Sequence, residues 1–381
     1  MDQDPYAVRP ASLGTRARRR GRRLGVAGGI GLAMVLLAAC SGGSSGSASS
    51  GGSASSGGSA SSGGTQTLTV GVGSSTVSYA AFWVAQEHNL FAKNGVNVKV
   101  VSYNTSGETS NLLASGQIQL AIFGANAIFQ LNPQGKQAEM VDELSAYNTG
   151  TVAVIGAQGV TSASQLRSKS GCRIATTDVG TVPYAYAALY QKAENLGNCK
   201  LILEAGTAPL IAAVSSGAAQ AGIVTYANAL PALAAKKATL VVNPLHVAPA
   251  LAAKVAPAQY PTFGVIALKS TIDSQKAGIV KFLKAIQQAN ATLNSESNSQ
   301  LGAATAKLTP FAGAQPSDLA KAWQAIRSGI PTGSNAGFIA ASAWAKTLKG
   351  FVNWSIPGYN PTNSAISYGN AVDMSLLHKA G

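Results

Sequence analysis

Residues 115–122 read Ser-Gly-Gln-Ile-Gln-Leu-Ala-Ile, and residues 216–223 read Ser-Gly-Ala-Ala-Gln-Ala-Gly-Ile. A short loop follows each. Then come Ala125-Asn126-Ala127-Ile128 in the first copy and Ala227-Asn228-Ala229-Leu230 in the second, with one more residue in the second spacing. An Ala-rich chain can produce such an echo by chance, so the flanking pattern decides. The simpler reading is two lobes on one α/β plan, each with a helix, a Ser-Gly turn, a strand and an Asn-started helix.

The flanks support that plan. Leu68–Val72, Val96–Val101 and Gln119–Phe123 read as strands, with helical spacing around Tyr79, Phe82, Trp83 and Gln86, and over Thr109–Ser115 and Asn126–Leu131. Val141–Tyr147 and Thr151–Ile155 are further strands. Arg173–Thr176, Leu201–Leu203, Ala221–Val224 and Thr239–Val242 then alternate with helices near Pro183–Leu196, Ala208–Ser215 and Ala229–Lys236. Phe263–Leu268 is the last strand, and residues from Ile272 to about Val352 read as almost wholly helical. Such alternation predicts an α/β fold with parallel-rich sheets flanked by helices and a helical C-terminal tail. Ligands of open parallel sheets sit beyond the carboxyl ends of the strands. Asn126 and Asn228 fall at two such ends.

Composition removes several function classes. Of 381 residues, 46% are apolar and 11% charged, so the chain can bury a core. The net charge is +14, but residues 1–39 hold seven Arg and two Asp, and only Arg167, Arg173 and Arg327 lie beyond them. The Lys residues are scattered, which argues against a nucleic-acid partner. No P-loop, H-E-x-x-H or C-x-x-C pattern occurs, and the G-x-S-x-G match at Gly42–Gly46 lies in a run of Ser, Gly and Ala. His88, His246 and His378 show no metal-ligand spacing, so neither a metal nor another cofactor is expected.

The ends of the chain carry their own signals. A basic run from Arg16 to Arg23 precedes an apolar run from Leu24 to Ala39, which closes on Leu37-Ala38-Ala39-Cys40. At 16 residues the apolar run is shorter than the roughly 20 that a spanning helix needs. The layout is that of a secretory signal. Its close resembles a bacterial lipobox, with Cys40 acylated and made the new N-terminus. An uncleaved anchor, or a Cys placed there by chance, is the competing reading. Residues 41–64 contain only Ser, Gly and Ala. They read as a flexible tether with an r.m.s. span of roughly 27 Å. In an oxidising, exported setting Cys172 and Cys199 remain to pair, each just before a strand. Parallel neighbouring strands would bring both to the same end; two buried free thiols are the alternative.

Phe82-Trp83-Val84-Ala85-Gln86-Glu87-His88-Asn89-Leu90-Phe91, followed by Asn94-Gly95-Val96-Asn97-Val98, resembles the "vA-x-e-x-G-l-F-x-x-x-G-l-x-V" stretch of a known family. These are the type II periplasmic binding proteins of ABC importers for nitrate, sulfonates, taurine and thiamine pyrimidine precursors. Ser115–Gln119 is similar to the family's S-G-x-x-D strand entry, with Gln119 in place of Asp. Ser164–Gly171 is similar to its s-x-x-D-L-k-G-k turn, with Gln165 in place of Asp, and the second-lobe strand carries Gln220 where Asp is usual. The resemblance spans about residues 67–270. It implies lobe 1 at 65–158 plus 244–381, lobe 2 at 159–243, and hinge crossings near Thr151–Gly159 and Asn243–Pro249. It also implies a small-molecule ligand, and a membrane permease with its ATPase as partners.

Four loops suit ligand binding, because free backbone N–H groups at helix starts point outward. They contain Ser74, Ser75, Thr76 and Ser78; Asn126; Asp178, Thr181 and Tyr184; and Thr225, Tyr226 and Asn228. Ser78, Asn126, Thr181 and Asn228 read equally well as plain N-caps. Phe82 and Trp83 read as core. No loop contains Arg or Lys, which disfavours a dianion, since a bidentate Arg clamp is the common solution for one. The function expected is a monomeric, extracytoplasmic solute-binding lipoprotein of an ABC importer, not an enzyme. The alternatives are a surface sensor or interaction lipoprotein on the same scaffold, and, with less support, an enzyme of thiamine-pyrimidine synthesis.

Overall fold

A computed structural model describes residues 66–380, apart from residues 74, 75, 104, 149, 257, 258, 355 and 357. The basic run, the apolar run, Cys40 and the Ser/Gly segment lie outside the described residues, as do Ser74 and Ser75.

Among the described residues ten strands form two five-stranded sheets. They are β1 (Gln66–Val72), β2 (Val96–Ser102), β3 (Leu120–Gly124), β4 (Ala138–Ala146), β5 (Val152–Gly156), β6 (Arg173–Thr176), β7 (Lys200–Leu203), β8 (Ala221–Thr225), β9 (Thr239–Val242) and β10 (Pro261–Leu268). The first sheet has the order β2-β1-β3-β10-β4 and the second β7-β6-β8-β5-β9. β1 runs parallel to β2 and β3, and β6 runs parallel to β7 and β8. β10 runs against β3 and β4, and β5 runs against β8 and β9. The two sheets are therefore built alike: four strands point one way and one points back. The reversed strand is in each case the first one laid down after the chain changes sheet, so it is not delivered by a β-helix-β crossover and is free of that unit's parallel constraint.

Fifteen α-helices accompany the sheets among the described residues: α1 (Ala80–Glu87), α2 (Leu90–Lys93), α3 (Ser106–Ala114), α4 (Asn126–Leu131), α5 (Ala163–Arg167), α6 (Val182–Ala193), α7 (Thr207–Ser215), α8 (Tyr226–Ala234), α9 (Pro249–Val255), α10 (Lys269–Ser295), α11 (Asn298–Thr305), α12 (Pro316–Ile326), α13 (Ala341–Phe351), α14 (Tyr368–Ala371) and α15 (Leu377–Ala380). None of them is long and apolar enough to cross a membrane. The long α10 lies on α1 and α2, where Phe91 stacks on Phe282 at 4.7 Å and Phe82 packs beside both. Trp83 meets Phe311 edge to face, so the pair Phe82 and Trp83 belongs to the core.

The echoed segments are equivalent down to their hydrogen bonds. Gly116 and Gly217 end α3 and α7 with φ of +72° and +76°, the left-handed geometry that glycine adopts without a Cβ penalty. The side-chain oxygen of Gln119 accepts the N–H of Thr69 at 2.9 Å, and its amide nitrogen donates to the carbonyl of Gly116 at 3.1 Å. Gln220 repeats this on Arg173 at 2.8 Å and Gly217 at 3.0 Å. Gln165 also accepts a backbone N–H, that of Thr161, at 2.7 Å. Where the family pattern has Asp, all three Gln residues supply an acceptor oxygen to a backbone N–H. Gln119 and Gln220 add a donor that a carboxylate lacks.

Two segments join the sheets. Between β4 and β5, the side chain of Asn148 accepts the N–H of Gly150 at 2.9 Å and closes the turn. Between β9 and β10, Asn243 accepts the N–H of Leu245 in the same manner. The segments touch where the N–H of Tyr147 donates to the carbonyl of Tyr260, and the Tyr147 hydroxyl donates to the carbonyl of Val255 at 2.6 Å. Cys172 and Cys199 form a disulfide. It ties the entries of β6 and β7, whose register pairs Arg173 with Lys200.

Candidate functional site

A cavity of about 390 Å³ lies where the carboxyl ends of β1, β3, β6 and β8 meet the starts of α3, α6, α7 and α8. That volume falls near the lower end of the ~300–1,000 Å³ common for small-molecule sites. Both sheets contribute to its lining.

The first-sheet wall is aromatic. Tyr79, Tyr103, Phe123 and Phe263 line it. Tyr79 and Phe263 form an edge-to-face pair at 5.7 Å, and Tyr103 and Phe123 another at 5.4 Å. The two pairs converge on Gly73, just after β1. A Cβ there would lie 3.0 Å from the Tyr79 hydroxyl, 3.1 Å from the Tyr103 ring and 3.6 Å from the Phe123 ring. Glycine thus lets the rings close over the strand end. The Tyr103 hydroxyl donates to the carbonyl of Ile122 at 2.7 Å, which fixes its ring. Burial raises the pKa of Tyr79 and Tyr103, so both phenols stay protonated at neutral pH. Thr76 borders this wall, and its carbonyl accepts the Trp83 indole N–H at 2.7 Å, anchoring the loop to the core.

The second-sheet wall is polar and uncharged except at one position. Thr177, Asp178, Thr181, Thr207, Thr225 and Asn228 line it, with Val182, Pro183, Ala208 and Ile211 between them. The hydroxyls of Thr177 and Thr181 are 2.8 Å apart, and Thr181 donates to the carbonyl of Asp178 at 2.7 Å. Thr225 is 9% exposed, and its hydroxyl has no hydrogen-bond partner in the protein. A buried hydroxyl left so costs about 1–3 kcal/mol, which a ligand can offset. Asn126 reaches the cavity from the first-sheet side, its side-chain oxygen seated over Gly124.

Of the residues singled out in the sequence, the structure brings Thr76, Asn126, Asp178, Thr181, Thr225 and Asn228 together around this cavity. Ser78, Tyr184 and Tyr226 are not among its lining residues. Ser78 is buried behind Thr76, where its carbonyl accepts the Ser145 hydroxyl at 2.7 Å. Tyr184 lies in the first turn of α6 and gives its backbone N–H to Thr181. Tyr226 is buried on α8, which packs against α12. The capping question also resolves residue by residue. Thr181 caps α6, whereas Asn126 and Asn228 lie inside α4 and α8 and cap neither. The aromatic wall escaped the sequence analysis. Tyr79 reads as one more apolar helical position, and Tyr103 and Phe263 sit at the margins of apolar strands far apart in the chain. Among the described residues no group of three or more His, Cys, Asp or Glu is placed to hold a metal ion.

Residues 76–296, more than half of the chain, match the family described as NMT1/THI5 like. The chain belongs to the NMT1/THI5-like family. No curated protein matches it. Among solved structures it is similar to the ligand-binding component of an ABC-type import system from Staphylococcus aureus with zinc bound. Identity there is 13%, over 83% of this chain and 99% of that one, with a TM-score of 0.64. It is similar to the periplasmic nitrate-binding protein of Synechocystis PCC 6803, at 15% identity, 83% and 88% coverage and a TM-score of 0.62. It is also similar to the periplasmic aliphatic sulphonate binding protein of Escherichia coli, at 15% identity, 78% and 90% coverage and a TM-score of 0.58. The shared feature is the periplasmic-binding-protein fold: two mixed sheets flanked by helices, with a helical C-terminal region.

Proposed function

We propose that this protein is the solute receptor of an ABC-type importer, taking one small molecule between its two sheet-bearing halves and delivering it to a membrane permease and its ATPase. The observation that carries this reading is the 390 Å³ cavity, lined from both sheets by rings, hydroxyls and amides. A ligand touching both walls favours the closed arrangement by the contacts it gains only there. The Tyr147–Tyr260 crossing would act as the hinge, with β1 to β4 and β10 in one half and β5 to β9 in the other; β5 belongs to the second sheet, so the first crossing would fall before Val152 and not near residue 158. The neighbours named as import, nitrate-binding and sulphonate-binding proteins share this fold and support the same role. The lipobox reading of Cys40 and the tether after it would place the receptor outside the cell on a lipid anchor, acting as a monomer.

Native mass spectrometry of freshly purified protein tests the proposal. The expected result is a co-purifying small molecule whose retention falls on Asn126→Ala or Asn228→Ala by more than either change lowers the melting temperature. Unchanged retention in both variants would return these residues to a purely structural role.

A further inference from the structure

We infer that the ligand of this cavity is an organic cation with an apolar body, and not an oxyanion. The inference rests on the receptor reading and names its substrate class.

Charge is the first ground. Among the described lining residues Asp178 is the only acid, and there is no Lys, Arg or His. An oxyanion entering this site would leave water to meet a carboxylate, with no cation to offset the lost hydration. Helix starts can take an anion in place of basic side chains, because their first N–H groups are unpaired. Here two of those starts are already occupied from within. Thr105 accepts the N–H of Glu108 at the head of α3, and Thr181 accepts that of Tyr184 at the head of α6. Each threonine spends one donor of its helix start, and the starts of α7 and α8 carry no side-chain cap, so an anion would be left with backbone N–H groups and no cationic side chain beside Asp178.

The aromatic wall is the second ground. Two edge-to-face pairs meet around Gly73, and their four rings occupy one side of a small cavity whose other side carries Asp178. Ring faces carry negative quadrupole potential and attract ammonium and guanidinium groups, most strongly when desolvated, and aromatic cages recognise quaternary ammonium in this way. Both tyrosines are buried and stay neutral, so they add ring faces without adding charge. A cation with an apolar body finds the rings on one wall and the carboxylate on the other; an anion finds no charged partner.

Three shape-related probes separate charge from shape: phenyltrimethylammonium, acetophenone and benzenesulfonate, with nitrate as a fourth. Each is titrated by calorimetry into ligand-stripped, refolded protein, and compaction is followed by small-angle scattering. The expected result is that phenyltrimethylammonium binds at least tenfold more tightly than acetophenone and that neither anion binds. Asp178→Asn should remove most of that tenfold preference. Phe123→Leu, which keeps apolar volume and removes a ring face, should weaken the cation at least fivefold and acetophenone less. Melting of each unliganded variant checks its fold. Equal binding of the cation and acetophenone overturns the inference, as does no binding by any probe. Tighter binding of benzenesulfonate or nitrate also overturns it; if that anion compacts the protein, the receptor reading stands and only the charge assignment fails. A cation that binds without compaction supports the inference and counts against closure.

Discussion

The disulfide offers a perturbation whose size follows from the chain itself. Cys172 and Cys199 are 27 residues apart, and both are almost wholly buried. In the chain-entropy model, opening a loop of this length frees about 12 cal/mol/K in the unfolded state, or roughly 3.6 kcal/mol at 25 °C. The double variant Cys172→Ser, Cys199→Ser should lose about that much. A cooperative unit of some 300 residues has an unfolding entropy near 0.6 kcal/mol/K, so the melting temperature should drop by about 6 °C. If the second sheet unfolds by itself, the same loss acts on a smaller unit and its own transition should fall further. Differential scanning calorimetry measures both the midpoint and the number of transitions. Wild-type protein unfolded with a strong reductant should match the double variant, because the native bond is shielded until unfolding exposes it. A double variant that melts within 1 °C of wild type would refute the argument. So would thiol titration of denatured, unreduced wild type that finds Cys172 and Cys199 free.

Other perturbations probe other parts of the molecule. A Cβ at Gly150 would run into the backbone carbonyl of Ala325, which cannot swing aside, so Gly150→Ala should cost about 3 kcal/mol and show as a lowered midpoint in thermal melts. Burial pushes the carboxyl of Glu143 up to about 7 and holds that of Asp142 well above the carboxylate range. Between about pH 4.5 and 7 the native state therefore keeps a proton that the unfolded chain releases, and stability should fall as pH rises through this window. Melts from pH 5 to 8 should show that decline, and Glu143→Gln should make it shallower while Asp142 keeps its share; an unaltered slope would place the Glu143 proton elsewhere. Thr225→Val removes a buried hydroxyl that has no partner, so the midpoint should hold or rise by the equivalent of up to about 1 kcal/mol while retention of the co-purifying molecule falls about tenfold. A lowered midpoint with full retention would mean that the hydroxyl serves the fold.

Much of the architecture was legible because the pattern is local. The strands Arg173–Thr176 and Thr239–Val242 occur where the apolar runs put them, and the doubled Ser-Gly segments form equivalent turns with φ near +70°. The directions of β5 and β10 were not legible. Both look like any buried strand, and only the route of the chain between sheets decides which way they run. The helix Pro249–Val255 hides in an Ala- and Pro-rich stretch with no strong amphipathic period. At the site, Thr181 carried its own signal, a hydroxyl two residues before a proline at a helix start. Tyr79, Tyr103 and Phe263 had no such signal. Their common wall arises from β2, β1, β3 and β10 lying side by side, and nothing within any one of those segments encodes it.

The central claim is that two similarly built halves close on one small molecule. Small-angle scattering of residues 65–381, stripped of the co-purifying molecule and then resupplied with it, tests this most directly. The account predicts a smaller radius of gyration on resupply, lost together with binding in Asn228→Ala. An identical scattering curve with and without a molecule that demonstrably binds would contradict it.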